Sequence, residues 1–199
     1  MPRASDSLAS VLADLSKALR KLRLRWYVFG AQALVLRGYP RATADLDVTV
    51  FLGEETTDRL QRELHRHGFV PTVIDEGFLA ATRVLPVVHR PSGFPVDIVL
   101  GGPGLEEIFA KRAEPVRVGR VMVPVATPTH LVVMKVLSGR PKDIDDATAL
   151  LALRDEAIDE SELDKLAQEI SRALSDDEVL ANLREAKRRS VELRRRRRG

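Results

Sequence analysis

An α/β (α+β) fold, a mixed β-sheet flanked by helices and followed by a C-terminal helical region, is what this sequence predicts. Three observations point to it. Short valine-rich runs alternate with helical ones through residue 126, glycines and prolines separate them, and from Thr127 onward only helical periodicity is left. The expected division is therefore a core at 1–126, N-terminal helix included, and a helical region with a basic tail at 127–199. A chain of 199 residues has room for one real core, alone or with a helical appendage.

The elements follow in order. Leu8, Val11, Leu12, Leu15, Leu19 and Leu22 form one stripe of an amphipathic N-terminal helix. Residues 26–30, WYVFG, read as a short aromatic strand ending at Gly30, and AQALVLRG as a short helix stopped by Gly38 and Pro40. DLDVTVFL at 45–52 is a strand. A helix from about Thr57 follows, with Gly68 at its C-terminus. Residues 81–100 read as a hairpin around the turn cluster Arg90, Pro91, Ser92 and Gly93. A helix at 105–112 and two valine-rich strands flanking Gly119 complete the first part. In the second, Thr127 is the expected cap of a helix with Pro128 at its first position. Three more helices are expected over 142–153, 160–174 and 175–197, the last capped by Ser175.

Composition narrows the class. The hydrophobic fraction is 44% and the charged fraction 31%, near globular norms. The chain has no cysteine, which excludes disulfides and thiolate–metal sites and fits a cytoplasmic protein. No apolar run approaches the roughly 20 residues a membrane span needs, and Asp6, Asp14 and Lys17 interrupt any signal-peptide core. No membrane partner is expected. Residues 184–199 carry nine basic and two acidic side chains, +7 against +3 for the whole chain, which leaves residues 1–183 at −4. Such a tail either contacts RNA or another polyanion, or is a solvated helix end.

The chemistry concentrates on strands. Asp45 and Asp47 are two apart and share one strand face, while Leu46, Val48 and Val50 take the other. Asp97, in FPVDIVL, stands opposite Val96 and Ile98 in the same manner. If these strands lie together, the three carboxylates meet. Two charges about 6 Å apart at an effective dielectric near 20 repel by roughly 2–3 kcal/mol, so such a cluster calls for a raised pKa or a cation. Oxygen ligands without nearby histidine or cysteine favour Mg²⁺ or Mn²⁺. The alternative is three separately solvated aspartates. Upstream, Gly30 ends a strand and opens a helix whose N–H groups could hold phosphate oxygens. Lys135 is the only charge in LVVMKVL, and either its stem reaches water or its head meets an anion. Acidic Asp143 and Asp146 suit a helix's first turn. His65, His67, His89 and His130 form no metal pattern, and aromatic residues are too few for a base-stacking surface.

The order of these features, strand, Gly30-Ala31, helix, Arg41-x-Thr43-x-Asp45-x-Asp47 and a later strand with Asp97, resembles the nucleotidyltransferase superfamily with the DNA polymerase β-like fold. In detail it is similar to the minimal nucleotidyltransferases related to abortive-infection toxins, in which a later lysine is followed by an R-P-K-D stretch, here Lys135 and Arg140-Pro141-Lys142-Asp143. The resemblance covers roughly residues 24–153. It implies a metal-dependent transfer of a nucleoside monophosphate from a nucleoside triphosphate to an acceptor hydroxyl on RNA such as tRNA, a protein or a small molecule, with a toxin–antitoxin partner as one setting. It further implies that Asp45, Asp47 and Asp97 hold Mg²⁺ or Mn²⁺ and that Gly30 and Ala31 cradle the triphosphate. Lys135 and Arg41 would neutralise developing charge, and Asp143 would orient Lys135 or the substrate. Ala31 replaces the serine or glycine of many relatives, which removes a hydroxyl contact that Gln32 or Thr43 could supply. The alternative is a catalytically silent member acting through a partner or RNA.

Overall fold

The computed structural model describes residues 4–39, 41–73, 75–153 and 158–196. Pro40, expected to help stop the second helix, and the last arginines of the tail lie outside them. The chain forms two compact units, Met1–Ala126 and Thr127–Gly199.

The first unit is built on α1 (Ala4–Lys21), β1 (Arg25–Phe29), α2 (Gly30–Leu36), β2 (Leu46–Phe51), α3 (Thr57–Arg66), β3 (Phe69–Pro71), α4 (Glu76–Thr82), β4 (Val84–His89), β5 (Phe94–Leu100), α5 (Leu105–Arg112), β6 (Glu114–Val118) and β7 (Val121–Val125). The strands form one seven-stranded mixed sheet in the order β3-β4-β5-β2-β1-β7-β6. β2 runs parallel to β5 and β1 parallel to β7, while the remaining pairs are antiparallel. Alternation decides the two faces. Val28, Leu46, Val48, Val96, Ile98 and Leu85 are buried together with Val11, Leu12, Leu15 and Leu19 of α1, so the N-terminal stripe covers one face of the sheet.

β3 and α4 are not evident in the sequence. β3 has three residues and ends in a proline at the sheet edge, too short for alternation to register. α4 has seven residues, one of them Gly77, and its cap is Asp75, whose side chain accepts from the Gly77 N–H at 2.8 Å.

The second unit contains α6 (Pro128–Ser138), α7 (Pro141–Ala152), α8 (Glu160–Leu174) and α9 (Glu178–Arg196). Thr127 caps α6, its hydroxyl accepting from the His130 N–H at 3.2 Å, and Gly139 ends that helix in the left-handed region at φ 66°. Ser175 does not cap the last helix as expected. It ends α8 at φ 53° with its N–H bonded to Arg172. The acidic residues that follow take over the capping instead, since the Asp176 carboxylate accepts from the Glu178 N–H at 2.9 Å. Leu131, Val136, Leu150, Leu163, Ala167, Leu183 and Ala186 are buried. Among the described residues no helix is long and apolar enough to cross a membrane.

Candidate functional site

On the sheet face away from α1, parallel β2 and β5 bring Asp47 opposite Asp97. β1 places Phe29 opposite Asp47, and β4 places Pro86 opposite Asp97. One row across the sheet thus reads Phe29, Asp47, Asp97, Pro86. Two carboxylates are flanked by apolar side chains, an arrangement that desolvates them. The register contributions of Phe29 and Pro86 escaped sequence reasoning, because pairing partners on separate strands carry no local signal.

Asp45 sits just ahead of β2 and is exposed. The Thr43 hydroxyl donates to its Oδ1 at 2.5 Å. Among the described residues no group of three or more His, Asp or Glu converges tightly enough to hold a metal ion: Asp47 and Asp97 are brought together by register, and Asp45 is bonded by Thr43. It is still within electrostatic reach. Burial pushes the Asp97 carboxyl above the usual carboxylate range, and the negative charge of Asp45 pushes it further the same way. The donor set is hard oxygen throughout, the chemistry that suits Mg²⁺ or Mn²⁺.

Gly30 is required here for two separate reasons. Its φ of 69° lies in the left-handed region. A Cβ built on it would stand 2.7 Å from Asp47 Cγ and collide with Oδ2. The Asp47 carboxylate therefore lies directly against the backbone where β1 passes into α2. Ala31 follows, half-buried. Gln32 is 6% exposed, and its Oε1 has no hydrogen-bond partner among the described residues, an unsatisfied acceptor beside the proposed phosphate turn. Arg41 is exposed.

Lys135, Asp143 and their partners assemble within the second unit. The Lys135 ammonium meets Asp143 Oδ1 at 2.6 Å and Asp146 Oδ2 at 2.9 Å, so of the two readings open to it the anion holds, and the anions are carboxylates of α7. Asp143 is 1% exposed. It also accepts from the Ser138 hydroxyl at 2.8 Å and from Arg140 Nε at 2.5 Å. Burial would raise its pKa, but the hydrogen bonds from Lys135, Ser138 and Arg140 outweigh that and bring it down to about 2. Asp146 joins Asp143 because residues three apart share a helix face, a signal the sequence already carried.

Two of the histidines are packed into structural roles. His89, fully buried, bonds through Nδ1 to the Ser92 hydroxyl at 2.8 Å and lies 3.4 Å from Asp14 through Nε2. His130, also buried, lies 3.6 Å from Glu162.

The carboxylate row, the glycine pressed against it and the mixed sheet define a nucleotidyltransferase fold. The chain belongs to the family described as "Nucleotidyltransferase of unknown function (DUF6036)", whose model matches residues 6–196. Solved structures share the fold. An antigenic nucleotidyltransferase-like protein from Paracoccidioides brasiliensis is 19% identical, with 93% of this chain and 95% of that one covered and a TM-score of 0.55. The antibiotic-resistance factor ANT(2'')-Ia is 11% identical, with 86% and 95% covered and a TM-score of 0.56. JHP933 from Helicobacter pylori is 11% identical, with 98% and 94% covered and a TM-score of 0.52. No curated protein sequence matches this chain.

Proposed function

We propose that this protein transfers a nucleoside monophosphate from a nucleoside triphosphate to an acceptor hydroxyl. The observation that carries the proposal is the in-register pair Asp47 and Asp97 with Gly30 against the Asp47 carboxylate. In this reading Asp45, Asp47 and Asp97 hold Mg²⁺ or Mn²⁺, with Asp45 released from Thr43 to join the pair. A bound divalent cation supplies charge neutralisation on the triphosphate and lowers the pKa of the attacking hydroxyl. Gly30 lets the triphosphate approach the backbone closely, Gln32 donates its side-chain N–H to a phosphate oxygen, and Arg41 adds positive charge at the start of the motif. Asp97 orients the acceptor hydroxyl. The hydroxyl gives its proton to Asp97, its oxygen attacks the α-phosphorus in line, the bond from that phosphorus to the bridging oxygen breaks, and pyrophosphate leaves.

Lys135 is read first as the tie between α6 and α7, because its ammonium is already engaged by Asp143 and Asp146. The basic tail is similarly engaged. Lys187 pairs with Asp164, Arg188 with Glu185 and Glu192, and Arg189 with Asp145, while Arg194 donates to the Leu151 carbonyl. Among the described residues of the tail, that leaves Arg184, Arg195 and Arg196 as exposed cations without an ion pair, spread over three helical turns rather than clustered, so we favour a small acceptor over RNA.

The test is titration of Mg²⁺·ATP, Mg²⁺·GTP and Mg²⁺·CTP into the wild type and into Asp45→Asn and Asp47→Asn, which keep shape and remove charge. At least one nucleotide should bind to the wild type and lose affinity about tenfold or more in each variant. Equal affinity in all three proteins would sink the metal role of these aspartates.

A further inference from the structure

Arg37 closes α2, the helix that begins at the proposed phosphate turn. Its side chain is only 14% exposed, and a guanidinium so far out of water needs its donors satisfied. Nε donates to the Ala126 carbonyl at 3.2 Å, Nη2 to the Val125 carbonyl at 2.9 Å and Nη1 to Glu114 at 2.7 Å. One planar fork thus ends on the last residue of β7, on the residue after it and on the first residue of β6.

The same short stretch of β7 is fastened to the strand that leads into α2. Val125 is the register partner of Val28, and the Ala126 N–H donates to the Val28 carbonyl at 2.9 Å. Residues 29–36 therefore form a loop whose two flanks, Val28 and Arg37, are both tied to Val125 and Ala126. That loop carries Gly30, Ala31 and Gln32. Little inside it fixes its direction. α2 has seven residues, too few to be stable alone. Phe29 makes no side-chain cap bond, and the helix is entered through Gly30 in the left-handed region, where the missing Cβ leaves the backbone least restrained. Ala33 and Leu34 are buried, but apolar burial is non-directional. The tolerance is small, because Gly30 already lies against the Asp47 carboxylate.

We propose that Arg37 is a positioning residue for the nucleotide: by tying the end of α2 to Val125 and Ala126 it holds Gly30 and Gln32 in place beside Asp47. The role rests on the nucleotidyl-transfer reading above; the tie itself does not. The two backbone carbonyls carry it, since Glu114 is 57% exposed and an ion pair to so solvated a partner contributes little.

The experiment compares the full chain, labelled with ¹⁵N, with Arg37→Gln and Glu114→Gln. Two quantities are read: Mg²⁺·nucleotide affinity, and exchange of amides 37–39, which bond back to Ala33, Leu34 and Val35. Arg37→Gln should bind Mg²⁺·nucleotide about tenfold more weakly and exchange these amides about tenfold faster, with exchange in β2 and β5 unchanged. Glu114→Gln, whose amide oxygen still accepts from Nη1, should stay within about twofold of wild type in both. Arg37→Lys keeps the charge and loses the fork, so it should also bind more weakly, and it carries the comparison if Arg37→Gln does not fold. Wild-type affinity in both Arg37 variants would overturn the positioning role while the nucleotidyl-transfer reading stood. Faster exchange throughout the first unit would show a merely structural residue and overturn it equally, as would an effect of Glu114→Gln as large as that of Arg37→Gln. A wild type that binds no Mg²⁺·nucleotide would overturn the nucleotidyl-transfer reading and the role of Arg37 with it, even where exchange confirmed the tie.

Discussion

Asp143→Asn removes one charge from the most tightly bonded carboxylate of the second unit and keeps its shape. The folded-state pKa of Asp143 is about 2 against an ordinary 3.8. A difference of just under two pH units corresponds to about 2 kcal/mol favouring the fold when the group is ionised. Because the folded pKa is depressed, this contribution is fully present above the unfolded value and is lost as pH falls through about 2. The substituted amide would also point an N–H toward Ser138 or Arg140, both of which already donate to this oxygen, and Lys135 would keep only Asp146 as a charged partner. The expected loss at neutral pH is about 2–3 kcal/mol, at the lower edge of what breaking a buried ion pair costs. Residues 127–199 contain no aromatic side chain, so urea unfolding is best followed by the helical signal at 222 nm. The gap between wild type and variant should hold constant at and above about pH 5 and shrink below it. A gap under about 0.5 kcal/mol at pH 7, or one indifferent to acid, would refute the assignment of Asp143 as a strongly stabilised buried anion.

Gly30→Ala forces a side chain into left-handed backbone and onto the Asp47 carboxylate; a cost of about 1–2 kcal/mol for the backbone, plus displacement of Asp47, should appear as a lower melting temperature and weakened Mg²⁺·nucleotide binding, and normal values for both would contradict the close approach. Asp97→Asn should raise the melting temperature of the ligand-free protein at pH 7 while abolishing transfer. The Asp97 pKa is raised in the folded state, so its ionisation opposes folding, and that penalty grows as pH climbs from the ordinary carboxylate value through the raised one; a lower melting temperature would show that the charge is compensated. Arg195→Gln/Arg196→Gln should leave any RNA affinity nearly unchanged, and a salt-dependence slope reduced by about 1.4–1.8 would instead identify both as phosphate contacts.

Much of the carboxylate face is legible in the amino-acid sequence. The alternation of Asp47 with Leu46, Val48 and Val50 determines that one face of β2 is apolar and the other acidic, because strand side chains alternate whatever the surroundings; Asp45, just ahead of the strand, is not placed by that rule. The same rule applies to Asp97 between Val96 and Ile98. The caps of α6 at Thr127 and Gly139 are likewise local, since they depend on hydrogen bonds and backbone angles within one turn. Ser175 shows where local reasoning stops. A serine followed by acidic residues satisfies the rule for a helix start, but the end of α8 claims it first.

What only the tertiary structure decided is register and company. That Asp47 faces Asp97, that Gly30 presses on Asp47 and that Lys135 finds both Asp143 and Asp146 are outcomes of long-range pairing or of how two helices meet. A pattern of residue types sets which face a side chain takes. The partner across that face is chosen by strand order and helix packing, which depend on burying the whole core at once and so are written in no single stretch of the chain.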